Sequence, residues 1–192
     1  MKNIETERLI LRPWREDDAA LLYEYAKDPK VGPMAGWPPH KSVEESLNVL
    51  KNVLMVEENY AICQKETGLL VGCIGLKEPT ARDYPLSEKE LEVGYWTAVP
   101  FWGRGYMPEA VRALEKHAFE DLGCTALWCG YYDGNERSKR TMEKCGFTYH
   151  HKEYDKPCPL LGEIRNENFT YLPREKWERG FSARKLIEKE IP

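Results

Sequence analysis

The run Leu91-Glu92-Val93-Gly94-Tyr95-Trp96-Thr97-Ala98-Val99 leads through Pro100-Phe101-Trp102-Gly103-Arg104-Gly105 into Tyr106-Met107-Pro108-Glu109-Ala110. An apolar, aromatic-rich stretch that reads as a strand passes a turn with two glycines and enters an amphipathic helix opened by Pro108 and stopped by Gly123. Gly103 and Gly105 allow backbone angles and close approaches that a Cβ forbids, so several N–H groups can converge at the positive end of a helix. Strand, glycine turn and helix in this order predict a cradle for an anion, and a phosphate fits it. The Gly-Lys-Ser/Thr ending of a nucleotide P-loop is missing, and the spacing is not that of a dinucleotide fingerprint.

Upstream, Thr6–Arg12 alternates as a strand, and Arg15-Glu16-Asp17-Asp18 offers caps for a helix over Ala19–Lys27 that closes before Pro29. Pro29–Lys41, with Trp37 in its middle, reads as loop. Ser42-Val43-Glu44-Glu45 has capping-box form, and Val43, Leu47, Leu50 and Leu54 follow on one stripe, predicting a helix to about Val56. Tyr60–Gln64 and Leu69–Leu76 read as a hairpin, and Lys77–Lys89 as a polar excursion before the central strand.

Downstream, the central helix turns Val111, Leu114, Ala118, Phe119 and Leu122 to one face, and Thr125–Tyr132 is another strand. A turn at Asp133-Gly134-Asn135 opens a short helix that ends at Cys145-Gly146, with glycine at the C′ position. Phe147–Tyr154 and Glu163–Leu172 form an antiparallel pair linked by a loop holding Pro157 and Pro159. This order is an α+β plan: one mixed, mostly antiparallel sheet of about seven strands flanked by about four helices. Residues 1–173 make one domain, and 174–192, with Trp177, form a tail that is either a docked helix or partly loose.

The 192 residues suffice for one sizeable core. No apolar run approaches the length that crosses a bilayer, and the charged start Met1-Lys2-Asn3-Ile4-Glu5 lacks the apolar core of an export signal, so a soluble cytoplasmic protein is expected. The six cysteines, at 63, 73, 124, 129, 145 and 158, contain no Cys-x-x-Cys pair and are expected as reduced thiols. A net charge of −4 argues against broad nucleic-acid binding, although Arg104, Arg137, Lys139, Arg140 and Lys144 concentrate positive charge near the expected phosphates. His150-His151 with Cys145 and Cys158 matches no common zinc spacing, and adjacent histidines on a strand point to opposite faces, so no metal is expected.

The stretch Trp102-Gly103-Arg104-Gly105-Tyr106-Met107 resembles the pyrophosphate loop of the GNAT acetyltransferases, Gln/Arg-x-x-Gly-x-Gly/Ala, with Trp102 and Met107 departing at its two ends. A Trp-Gly-x-Gly-Tyr run followed by x-x-Glu-Ala is similar to the family's Rim-type branch, whose best-known members acetylate the N-termini of ribosomal proteins. The element order is similar to the GNAT order over about residues 4–173. The resemblance implies an acetyl-CoA-dependent N-acetyltransferase with a primary amine as acceptor, working by direct attack without metal, as monomer or homodimer. Pairing at an exposed edge strand near Phe169-Thr170-Tyr171 would serve a dimer.

Residue by residue, the resemblance implies that amides of Trp102, Gly103, Arg104, Gly105, Tyr106 and Met107 hold the pyrophosphate. Thr97 and Val99 offer backbone to pantetheine where their strand splays from its neighbour. Asn135-Glu136-Arg137-Ser138 matches a second family motif, in which the Asn bonds the pantetheine arm and Ser138 stands near the sulfur, ready to protonate the leaving thiolate. Read locally, Asn135 is equally a helix cap and Ser138 a first-turn residue. Other branches place a tyrosine acid one turn further, where this chain has Met142. Glu92, before Val93-Gly94-Tyr95-Trp96, is expected to take the acceptor's proton through a water, the alternative being a satisfied structural carboxylate. Trp37, Tyr95 and the loops Gly32–His40 and Lys77–Glu88 are expected to line the acceptor cleft, which suits a peptide N-terminus or a small amine such as a polyamine, amino acid or antibiotic. A CoA-binding module without catalysis is the remaining alternative.

Overall fold

The computed structural model describes residues 1–81, 87 and 89–190, the side chains of 183–190 excepted. Its strands are β1 (Ile4–Glu5), β2 (Leu9–Pro13), β3 (Asn59–Gln64), β4 (Leu70–Lys77), β5 (Glu90–Thr97), β6 (Ala126–Tyr132), β7 (Thr148–Cys158) and β8 (Glu163–Pro173). Its helices are α1 (Ala19–Ala26), α2 (Val43–Val49), α3 (Tyr106–Lys116), α4 (Glu136–Lys144) and α5 (Arg174–Glu190). The eight strands form one sheet in the order β1-β2-β3-β4-β5-β6-β8-β7, one strand more than expected because the N-terminal stretch folds into two. Every pairing is antiparallel except that of β5 with β6.

The helix ends follow the expected chemistry. Ser42 Oγ caps α2 by accepting the N–H of Glu45 at 3.1 Å, while the Glu45 carboxylate accepts the N–H of Lys41 at 2.6 Å and not that of Ser42, so only half of the capping box forms. Asn135 Oδ1 caps α4 through the N–H of Ser138 at 3.2 Å. Gly146, with φ +92°, closes α4, where Phe147 N donates to Met142 O at 3.1 Å. On α3 and the π turn that continues it over His117–Asp121, Val111, Leu114, Ala118 and Phe119 are fully buried. Leu122 is not: it is 42% exposed, because a π turn over His117–Asp121 winds the end of the helix off its 3.6-residue phase. That helix opens at Tyr106, two residues before Pro108.

Three further expectations need correction. Pro157 belongs to β7, opposite Ile164, and not to the connecting loop. Phe169-Thr170-Tyr171 does not lie at an edge: β8 crosses inward between β6 and β7, so β7 is the edge strand. His150 and His151 do not face opposite ways, because a bulge between Tyr149 and His151 interrupts the alternation and brings their Nδ1 atoms to 2.9 Å. Among the described residues no group of three or more His, Cys, Asp or Glu side chains is placed to hold a metal ion, and none of their helices is long and apolar enough to cross a membrane. All six cysteines are buried, and none is in a disulfide among the described residues. On α5, Trp177 is buried, 5.0 Å from the Phe119 ring.

Candidate active site

Strand β5 organises the site. It pairs with β6 only through Glu90, Leu91 and Glu92, opposite Ala126, Leu127 and Trp128, and from Val93 onward the two parallel strands part. Just past its end, Ala98 N donates to Val71 O of β4 at 2.9 Å; since successive residues alternate, the backbone groups of Tyr95 and Thr97 face the gap left by β6. The Thr97 carbonyl there accepts Trp102 Nε1 at 2.8 Å. The Val99 carbonyl is occupied by the N–H of Trp102 at 3.2 Å, and Val99 stands outside the cavity lining.

The glycine turn joins β5 to α3. Gly103 and Gly105 have φ of +74° and +77°, in the region that side-chain-bearing residues rarely adopt. The Trp102 amide is spent on Val99, but none of the N–H groups of Gly103, Arg104, Gly105, Tyr106 and Met107 meets an acceptor among the described residues. Tyr106 and Met107 begin α3, so their amides lack intrahelical partners, and Pro108 has none to offer. A row of unspent donors at a helix N-terminus, with open space where a Gly103 Cβ would stand, fits a diphosphate.

Positive charge surrounds this row unevenly. Arg137, Arg140 and Lys144 of α4 line the cavity, with the Arg137 guanidinium 3.6 Å over the Trp102 ring, whereas Arg104 and Lys139 stand outside its lining. The cavity, about 880 Å³, runs from the turn past Ser138 and Tyr95 to Trp37, Glu92 and Glu167. Consecutive residues of β5 serve its two sides. The Tyr95 hydroxyl lies 2.7 Å from Ser138 Oγ on α4, while Trp96 turns the other way, toward Trp14 and Trp37, at 6.5 and 6.2 Å between ring centres.

Glu92 is 3% exposed and lines the cavity. Its carboxylate accepts Thr80 N at 2.7 Å and Thr80 Oγ1 at 2.8 Å, and Lys77 Nζ stands 3.0 Å away. The asparagine of the second motif is likewise held: besides capping α4, Asn135 donates from Nδ2 to Met34 O at 3.3 Å. Trp37 lies over Gly32, where a Cβ would come 2.3 Å from its ring. Part of the expected cleft loop Lys77–Glu88, residues 82–86 and 88, lies outside the described residues.

The model of the acetyltransferase (GNAT) domain matches residues 8–148. The chain belongs to the GNAT acetyltransferases. It is 33% identical over 187 residues to the FsC-acetyl coenzyme A-N(2)-transacetylase of Aspergillus fumigatus, covering 92% of this chain and 78% of that protein. YdaF of Bacillus subtilis, provisionally named a ribosomal N-acetyltransferase, is 36% identical over 90 residues, 47% of this chain and 49% of its own. A GNAT-family acetyltransferase from Bacillus anthracis has the same fold, with a TM-score of 0.78 at 23% identity, over 91% of this chain and 99% of that one. GNAT acetyltransferases take their acetyl group from acetyl-CoA, and the likeness to a ribosomal N-acetyltransferase supports the Rim-type branch.

Two parts of this acetyltransferase site have no local signature in the sequence. The first is a clamp on the turn. Glu109 Oε1 accepts Thr6 Oγ1 at 2.6 Å and Arg8 N at 2.9 Å, its Oε2 accepts Arg8 Nε at 2.7 Å, and Arg8 Nη1 donates to Arg104 O at 3.1 Å. Burial works against the Glu109 charge, but these donors outweigh it and hold its carboxyl below the usual range. The second is Glu167 on β8, seated where Gly130 leaves room: a Cβ there would lie 2.4 Å from Oε1. Lys156 Nζ, itself buried, stands 2.7 Å from Glu167 and 3.0 Å from Glu153, and donates to Thr80 O at 3.1 Å. Burial pushes the Glu167 carboxyl up, Lys156 pulls it back, and the Glu92 charge pushes it further up.

Proposed function

We propose that this enzyme moves the acetyl group of acetyl-CoA onto a primary amine by direct attack, with protein N-termini as the first acceptor class to test. The observation that carries this reading is the parting of β5 from β6, which opens a passage with two hydroxyls on one side and two carboxylates on the other. The amides of Gly103–Met107 would bind the diphosphate, helped by Arg137, Arg140 and Lys144. The Thr97 side of β5 would face pantetheine, and Asn135 would reach its arm after releasing Met34. Acetyl-CoA supplies the activated acyl group. An amide of β5 facing the gap would donate to the oxyanion as the tetrahedral centre forms.

The acceptor enters as an ammonium ion and must lose a proton before it can attack. We assign that proton to Glu92 through a water, with Glu167 as the second carboxylate of the same cleft. Ser138 stands by the sulfur, where a hydrogen bond to the departing thiolate suffices because that thiolate is only modestly basic. The six buried thiols fit a reducing compartment, the cytoplasm. The transacetylase relative, matched over nearly the whole chain, favours a second reading in which the acceptor is a small molecule. Incubation with acetyl-CoA and a panel of peptides, polyamines, amino acids and aminoglycosides, followed by mass spectrometry, decides between them. Acetylated peptide N-termini support the first reading and acetylated small amines the second. CoA binding without transfer to any amine would overturn both.

A further inference from the structure

We infer that Tyr95 is a positioning residue for the acyl-transfer step: its hydroxyl holds Ser138 so that the serine proton faces the departing sulfur. The inference rests on the reading of Ser138 given above and extends it to a side chain from a different element. Ser138 sits in the first turn of α4 with its N–H bound to Asn135 Oδ1, and is only 9% exposed, at the cavity wall. Its Oγ has one proton to give and lone pairs to fill. Were that proton given to Tyr95, none would remain for sulfur. In the inferred arrangement the proton runs the other way. The Tyr95 hydroxyl lies 2.7 Å from Ser138 Oγ, a contact in which either oxygen can donate, and 3.3 Å from Ser138 O, which can only accept; its single proton, shared between these two acceptors, leaves the Ser138 proton for sulfur. Burial drives the phenol far above its ordinary value, and it stays protonated as a permanent donor. The ring is fixed by β5, whose next residue, Trp96, is buried on the opposite face.

The step balances without a further reagent. The neutral amine attacks the thioester carbon, and the carbonyl π pair moves to oxygen. As the carbonyl re-forms, the C–S bond breaks and its electron pair goes to sulfur. Negative charge on sulfur draws the Ser138 O–H bond toward it, Oγ becomes a better acceptor, and the Tyr95 hydrogen bond strengthens in turn. The proton lost by the nitrogen after attack passes through water to the thiolate. Neither hydroxyl is consumed.

The test is a double-mutant cycle on the full chain with acetyl-CoA and the best acceptor from the panel. Tyr95→Phe keeps the ring and removes one neutral hydrogen bond, so its kcat should fall about three- to tenfold, with KM for acetyl-CoA and Kd for CoA within about twofold of wild type. Ser138→Ala should lower kcat by about tenfold or more. In the Ser138→Ala background, Tyr95→Phe should cost nothing further, because its target is gone. Equal losses in both backgrounds, or full activity of Tyr95→Phe beside a slow Ser138→Ala, would overturn the inference and leave the role of Ser138 standing. A Ser138→Ala enzyme as fast as wild type would remove that role and the inference with it.

Discussion

Replacing Gly105 with alanine tests the anion cradle with a quantity that the structure sets. At φ +77° an L-residue costs about 1–2 kcal/mol. No clash adds to this, since the new Cβ would meet Arg8 Nη2 at 3.5 Å, an ordinary contact. Gly103, Arg104 and Gly105 are all exposed, so in the free enzyme the turn can relax out of the left-handed region and shed part of the strain. Bound CoA needs the original turn and must restore that strain. The loss of stability and the loss of affinity should therefore sum to about 1–2 kcal/mol, most of it as affinity, which is about five- to thirtyfold in Kd. The control is Gly68→Ala in the β3–β4 turn, at φ +69° with nothing within 4 Å. It carries the same strain away from the ligand, and its cost should fall wholly on stability. Calorimetric titration with CoA and urea unfolding of both variants supply the numbers, and kcat at saturating acetyl-CoA should stay near wild type. An unchanged Kd in Gly105→Ala would refute the reasoning.

Other variants separate the remaining roles. Glu109→Gln should cost about 1 kcal/mol near neutral pH by unclamping Thr6 and Arg8. Because the folded carboxyl titrates below its ordinary 4.5, that contribution is present above this value and fades as pH falls through the folded value. Unfolding curves of wild type and variant should converge at acid pH, and a constant gap would contradict the clamp. Glu92→Gln should lower the rate about a hundredfold at neutral pH with CoA affinity unchanged, and Glu167→Gln should lower it less; undiminished turnover in both would make the two carboxylates structural. Asn135→Ala should lose about 1 kcal/mol as a helix cap. A raised KM for acetyl-CoA in the same variant would place its side chain on pantetheine as well, whereas a stability loss alone would leave it a cap.

The parts of the site that could be read in the chain are those built from near neighbours. Two glycines before a helical stripe announce a cradle, and Asn135 three residues before Ser138 announces a cap, since both depend on the backbone conformation of a few consecutive residues. Contacts that join distant elements leave no such mark. The clamp brings Arg8 to Glu109 and Arg104 across the sheet edge, and Glu167 reaches the cleft only because β8 crosses inside β7 and Gly130 makes room. Tyr95 is expected at the cleft wall from the chain alone, but nothing local in the sequence names the hydroxyl it finds there, which comes from α4. Bulges defeat alternation outright. One brings His150 beside His151, and a second, between Glu153 and Lys156 with Asp155 at φ +51°, turns Lys156 back toward Glu153 and Glu167.

The most direct measurement is a crystal structure of the enzyme with coenzyme A. Its diphosphate oxygens should lie within hydrogen-bond distance of amides between Gly103 and Met107, with pantetheine running into the gap between β5 and β6. A diphosphate seated away from the turn, with those amides bonded to other parts of the protein, would contradict the account.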